Sequence, residues 1–211
     1  QLSERYSVQD VKLKEQDIPE GIETLILAGP KESFSDYELF QIDQFLMKGK
    51  SLAIFYDAIN EIAPPGGMYG YQQPQYLPVN TGLEKLLEHY GASVKTEYVF
   101  DENCYEQVLN QRQGGGKQKI YLAPIIQRQK INQRFKFLRN INGFLAFKTS
   151  PLQLIEEKIK NAEVKAHLLF STSDRSWTQQ VEGGLSPFYA QPPAEENMKS
   201  QPLAYLIEGS F

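Results

Sequence analysis

The sequence predicts an α/β fold: a three-layer sandwich built around a mostly parallel sheet. Three observations carry that class. Two apolar runs, TLILA at Thr24 to Ala28 and SLAIFY at Ser51 to Tyr56, lack polar alternation, as strands covered on both faces do. Between them lies a capped amphipathic segment of helical period. Strand-like and helix-like segments then alternate to the end of the chain, the pattern of a sheet with helices on both sides.

Tyr6 to Leu13 alternates apolar and polar residues with one irregular step and predicts a first strand. Lys14 to Gly21 is polar, contains Pro19, and is a connection. The TLILA strand is stopped by Gly29-Pro30. Ser35 suits a helix N-cap, and Glu38 three residues later completes a capping box. Leu39, Ile42 and Leu46 then share one helical stripe, flanked by Phe40, Phe45 and Met47. Lys48 suits the helix C-terminus and Gly49 the C′ position. Asp43 falls inside the apolar stripe. A buried carboxylate there needs donors, so Asp43 is expected to act as a structural brace held by backbone N–H groups of a neighbouring loop.

The SLAIFY strand ends on Asp57. Ala58 to Asn80 follows, rich in Pro, Gly, Tyr and Gln and without periodicity, which suggests a functional or mobile loop. A second helix is expected from Asn80 or Thr81, presenting Leu83, Leu86, Leu87 and Tyr90 before Gly91 closes it. Val94 to Phe100 predicts a strand running into Asp101. Tyr105 to Gln113 is read as a short helix that ends in a flexible GGGK at Gly114 to Lys117. Strands are expected at Lys119 to Ala123 and Gly143 to Lys148, a helix at Leu152 to Asn161, and a strand at Val164 to Ser171. An irregular excursion through Trp177 and Gly183 to Gln201 precedes the last strand, Leu203 to Glu208. Residues 1–211 are read as a single domain.

A domain of 211 residues buries roughly 70% of its unfolded surface. Its 22 basic and 26 acidic residues give a net charge of -4, which argues against nucleic acid as the main partner. The one cysteine, Cys104, excludes an intrachain disulfide and a four-cysteine zinc site. No apolar run approaches the ~20 residues of a membrane span. The abrupt ends, LSERY and LAYLIEGSF, are read as the limits of a domain whose anchors lie outside it.

No catalytic signature stands out. A nucleophile elbow, G-x-S-x-G or G-x-C-x-G between a strand and a helix, is absent. Cys104 sits in DENCY, without the glycines of a sharp turn or a basic setting to activate it. His89 and His167 lack further ligands at metal spacing. GGGK lacks the frame of a phosphate loop, and Pro30 removes an N–H where such a cradle needs one. Neither a catalytic residue, a cofactor nor a metal is expected.

Position supplies what motifs do not. Ligands of open α/β sheets bind outside the carboxyl ends of the strands. Gly29, Pro30 and Asp57, with Tyr69, Tyr71 and Tyr76 of the long loop, would gather at that edge as a surface for a partner or ligand. Two alternatives stay open: a glycan-binding module built on the three tyrosines, and a hydrolase or amidotransferase-like enzyme with an unrecognised site.

TLILAGPKESFSDYELFQIDQFLMKGKSLAIFYDA resembles the hallmark of the ABC-transporter auxiliary domain family, which includes the gliding-motility-associated component found with ABC-2-type permeases. Ala28, Gly29, Pro30, Ile42, Asp43, Gln44, Gly49 and Asp57 match its pattern one by one. Gly82 to Glu102, Leu168 to Trp177 and Pro202 to Phe211 match later segments in order, while Cys104 to Asn142 matches least. The resemblance implies a flavodoxin-like or class I glutamine amidotransferase-like fold without the catalytic residues. It also implies a non-enzymatic extracytoplasmic domain, periplasmic or on the cell surface, tethered to the cytoplasmic membrane by segments outside this chain. Its implied partners are an ABC permease and its ATPase.

Overall fold

The computed structural model describes residues 2–62, 74–111, 114–161, 164–180 and 190–209. The chain gathers into two compact units, Gln1–Tyr56 with Asn80–Leu86, and Asp57–Val79 with Leu87–Phe211.

The first unit is built on the stretch that dominates the sequence. Strands β1 (Thr24–Ala28) and β2 (Ser51–Phe55) pair in parallel, Thr24 opposite Ser51 and Ala28 opposite Phe55. Helix α1 (Asp36–Met47) connects them. Ser35 caps it, accepting from the Glu38 N–H while the Glu38 carboxylate accepts from the Ser35 N–H, the predicted capping box. Gly49, at φ 77, takes the left-handed turn that ends the helix. Ile42 and Phe45 of α1 pack with Leu25 and Leu27 of β1, with Leu13, and with Leu83, the first residue of α2 (Leu83–His89). Tyr6 to Leu13 forms no strand. No strand among the described residues pairs with it, so its alternation is not expressed; Leu13 is buried in the core and Val11 packs against it.

The second unit is a set of antiparallel pairings. A hairpin joins β3 (Ile59–Ile62) to β4 (Gln75–Pro78). Strand β5 (Ala92–Val94) pairs with β10 (Leu152–Leu154), and β6 (Tyr98–Asp101) with β12 (Ser176–Gln179). Strands β7 (Cys104–Val108), β8 (Lys117–Gln127) and β9 (Gly143–Leu145) make a three-stranded sheet. Strand β11 (Lys165–Ser171) pairs with β13 (Pro202–Glu208). The six-residue α3 (Glu156–Asn161) is the one α-helix lying wholly in this unit among the described residues. Ile126, Ile131, Leu138 and Ala146 form one apolar cluster. Elsewhere the Phe100 and Trp177 rings of β6 and β12 stack at 5.6 Å.

The parallel three-layer sandwich, flavodoxin-like or amidotransferase-like, is therefore overturned. Among the described residues β1–β2 is the one parallel pair, and the other sheets are small and antiparallel. Two physical reasons account for the difference. The TLILA run is covered on one face only: Leu25 and Leu27 are buried while Ile26 is 50% exposed. Segments read as helices are strands instead. Tyr105 to Val108 lies in β7 instead, Lys117 of GGGK begins β8 opposite Val108, and the two strands pair antiparallel. Leu152 starts a strand, with only Glu156–Asn161 helical. Likewise, both described flanks of the Ala58 to Asn80 insertion belong to the β3–β4 hairpin.

Candidate functional site

The first unit carries an open groove of about 660 Å³ where α1 begins, beyond the carboxyl end of β1. One wall is the irregular segment from Leu13 to Asp17, and the other is Ser33 to Glu38 with Gln41. The sequence builds this wall locally. Gly29, at φ 59, turns the chain out of β1 in a conformation that favours glycine, its N–H donating to the Phe55 carbonyl at 2.7 Å. Pro30 follows, half-buried, and Ser35 then starts the helix.

The polar groups of the groove fall into three states. Lys14 pairs with Glu32 at 2.7 Å, and Lys12 with Glu15 at 3.5 Å, so these charges are neutralised. Glu38 and Asp17 form no ion pair among the described residues. The Ser35 N–H and hydroxyl hold the Glu38 carboxyl below the usual carboxylate range, so it is ionised. Asp17 accepts a 2.9 Å hydrogen bond from the Tyr37 hydroxyl, which joins the two walls and pushes the phenol upward.

Gln41 is the third case. It is 9% exposed, and neither Nε2 nor Oε1 has a hydrogen-bonding partner among the described residues. The amide lies near enough to the Tyr37 hydroxyl to favour its ionised form but lacks the geometry of a bond to it. Buried side-chain amides are almost always satisfied, and an unmet one costs about 1–3 kcal/mol. Sequence reasoning missed Gln41, because a helical glutamine reads as solvent-facing.

The other predicted residues are placed as follows. Asp57 is exposed and opens the second unit. Tyr69 and Tyr71 lie outside the described residues. Tyr76, on β4, is only 9% exposed, its ring edge-on to Tyr98 at 6.3 Å; so placed, it braces the hairpin instead of presenting a contact face. Asp43 is half-buried and accepts from Gln44 Nε2 at 3.4 Å.

The reactive residue types are occupied elsewhere. Burial pushes the Cys104 thiol up to about 11, the opposite of an activated nucleophile. The His89 ring meets Tyr90 edge-on, and His167 Nε2 lies 3.3 Å from Glu208. Among the described residues no three His, Cys, Asp or Glu side chains converge as a metal site would need. No helix among them is long and apolar enough to cross a membrane. A second groove, about 530 Å³, overlies β7–β8–β9 and is lined by Tyr105, Ile120, Leu145 and Phe147.

The family described as ABC-type uncharacterized transport system matches residues 1–211. No curated protein matches the chain. Among solved structures, the mmIFT52 N-terminal domain is similar at 16% identity and a TM-score of 0.48. That alignment covers 83% of this chain and 64% of the other, so the chain spans less than two thirds of its length.

Proposed function

Because the chain belongs to the family of the ABC-type uncharacterized transport system, we propose that it is a non-enzymatic accessory domain that works beside an ABC permease and its ATPase. Membership supports association with a transport system. The finer reading places the domain on the extracytoplasmic side, held at the membrane by segments outside this chain. Its role is to hold a partner, and the groove at the start of α1 is the contact. The observation that carries the assignment to this groove is Gln41, whose buried amide has no hydrogen-bonding partner among the described residues. Gly29 and Pro30 support its wall, and exposed Asp57, with Tyr69 and Tyr71, remains a candidate contact in its own right.

Affinity capture of the full-length protein from its native membranes tests this. A permease and an ATPase of one transport system should be recovered together with it. Recovery of the protein without either subunit contradicts the reading.

A further inference from the structure

We propose that the groove at the start of α1 binds an extended, basic peptide segment, with the Gln41 side-chain amide hydrogen-bonded to the N–H and C=O of a single residue. This rests on the reading of the groove as a partner contact and names the chemistry of what enters it.

Three features select that ligand. The first is the unmet carboxamide, which presents a donor and an acceptor side by side. In an extended chain the N–H and C=O of one residue point to the same side, as in a hydrogen-bonded antiparallel pair, so one carboxamide satisfies both. A sugar N-acetyl group has its N–H and C=O trans and cannot present both to one amide.

The second feature is charge. Lys14 and Lys12 are paired with Glu32 and Glu15, which leaves Asp17 and Glu38 as the carboxylates without an ion pair among the described residues of the groove. The groove is therefore net negative and complements a Lys or Arg side chain. The third is how the groove opens. The Gln41 polar atoms are closed off from water, so a ligand reaches them only when the walls part. The Tyr37–Asp17 hydrogen bond ties those walls together. A cationic side chain offers Asp17 a hydrogen bond together with an opposite charge, where the neutral phenol offers the bond alone, and so compensates the opening.

The test follows the Gln41 side-chain NH2 resonances of the ¹⁵N-labelled chain during titration with the blocked tetrapeptide acetyl-Val-Lys-Val-Lys-amide, N-acetylglucosamine or hexylamine. The peptide should move the Gln41 pair together with Phe34 and Tyr37, and the other two probes should not. In Gln41→Leu, peptide binding should weaken about tenfold or more for the loss of two hydrogen bonds. The same variant should melt about 2–4 °C higher, because an unmet buried amide has gone. Gln41→Met serves the same purpose if the leucine variant does not fold. Equal movement with hexylamine, movement with N-acetylglucosamine, no movement with any probe, or a lower melting temperature in both variants overturns the proposal. Capture of the transport subunits with the peptide arm failing would leave the accessory role standing and remove only this ligand.

Discussion

Asp101 and Ser173 stand 72 residues apart and are joined twice: Asp101 accepts from the Ser173 backbone N–H at 2.8 Å and from its hydroxyl at 2.6 Å. A third bond comes from the Asn103 N–H at 2.8 Å. Asp101 is fully buried at the end of β6, so this carboxylate fixes the turn leading into β12. Three half-buried donors lose their acceptor in Asp101→Ala. The expected loss of stability is on the order of 3 kcal/mol by urea unfolding, with a smaller loss for Asp101→Asn, which keeps one acceptor oxygen. A loss under about 1 kcal/mol for the alanine variant contradicts this role.

Acid should destabilise the first unit through two glutamates. Glu38 is held low by the Ser35 N–H and hydroxyl. Burial pushes Glu84 up, but the Tyr56 hydroxyl and the Thr81 and Gly82 N–H groups outweigh it and leave it below its ordinary value of 4.5. A carboxyl lower in the folded than the unfolded state contributes stability above pH 4.5 and loses it as pH falls through the folded value. Melting temperature should therefore fall below about pH 4.5, and Glu38→Gln and Glu84→Gln should each flatten that fall. Unchanged acid profiles in both variants refute the assignment.

How far the sequence reached depends on where order is local. The capping box, Ile42 on the helical stripe, and the β1–β2 pair all follow from contacts within about 30 residues of chain, and each could be read from spacing, whereas Phe45, read as flanking the stripe, is the residue buried with Ile42. The second unit depends on pairings that spacing does not encode, such as Trp177 opposite Phe100 and Leu206 opposite His167. Its short helices leave the strands to pair antiparallel, which apolar runs alone cannot distinguish from parallel pairing. Ile26 shows the limit: an apolar run records composition, not which face is covered. Of the candidate edge, Gly29 and Pro30 were visible as a strand-ending turn. Gln41 became visible only because its amide has no partner among the described residues.

Gly91 was legible as the residue that closes the second helix, and its geometry sharpens the prediction. Its φ is +84, and an added Cβ would lie 2.7 Å from Ile159 Cδ1. The tip of the Ile159 side chain can move, so the backbone conformation dominates. Gly91→Ala should cost about 1–2 kcal/mol in chemical unfolding, and a neutral or stabilising effect contradicts the strain.

Cys104 should be chemically quiet. It is buried on β7 and its thiol is pushed up to about 11 by burial, so little thiolate exists near neutral pH. Iodoacetamide at pH 8 should leave the folded chain unmodified and label it fully in urea. Rapid labelling of the folded chain would refute this and reopen a nucleophilic role.

The central claim is that the groove at the start of α1 is where the transport system is contacted, and site-specific photocross-linking tests it most directly. Benzoylphenylalanine would replace Tyr37 at the groove or Val108, 74% exposed on β7, in full-length protein within native membranes. The position of Tyr37 should cross-link to the permease or ATPase, Gln41→Leu should diminish that product, and the position of Val108 should give none. Cross-linking to either subunit from Val108 and not from Tyr37 would contradict the account.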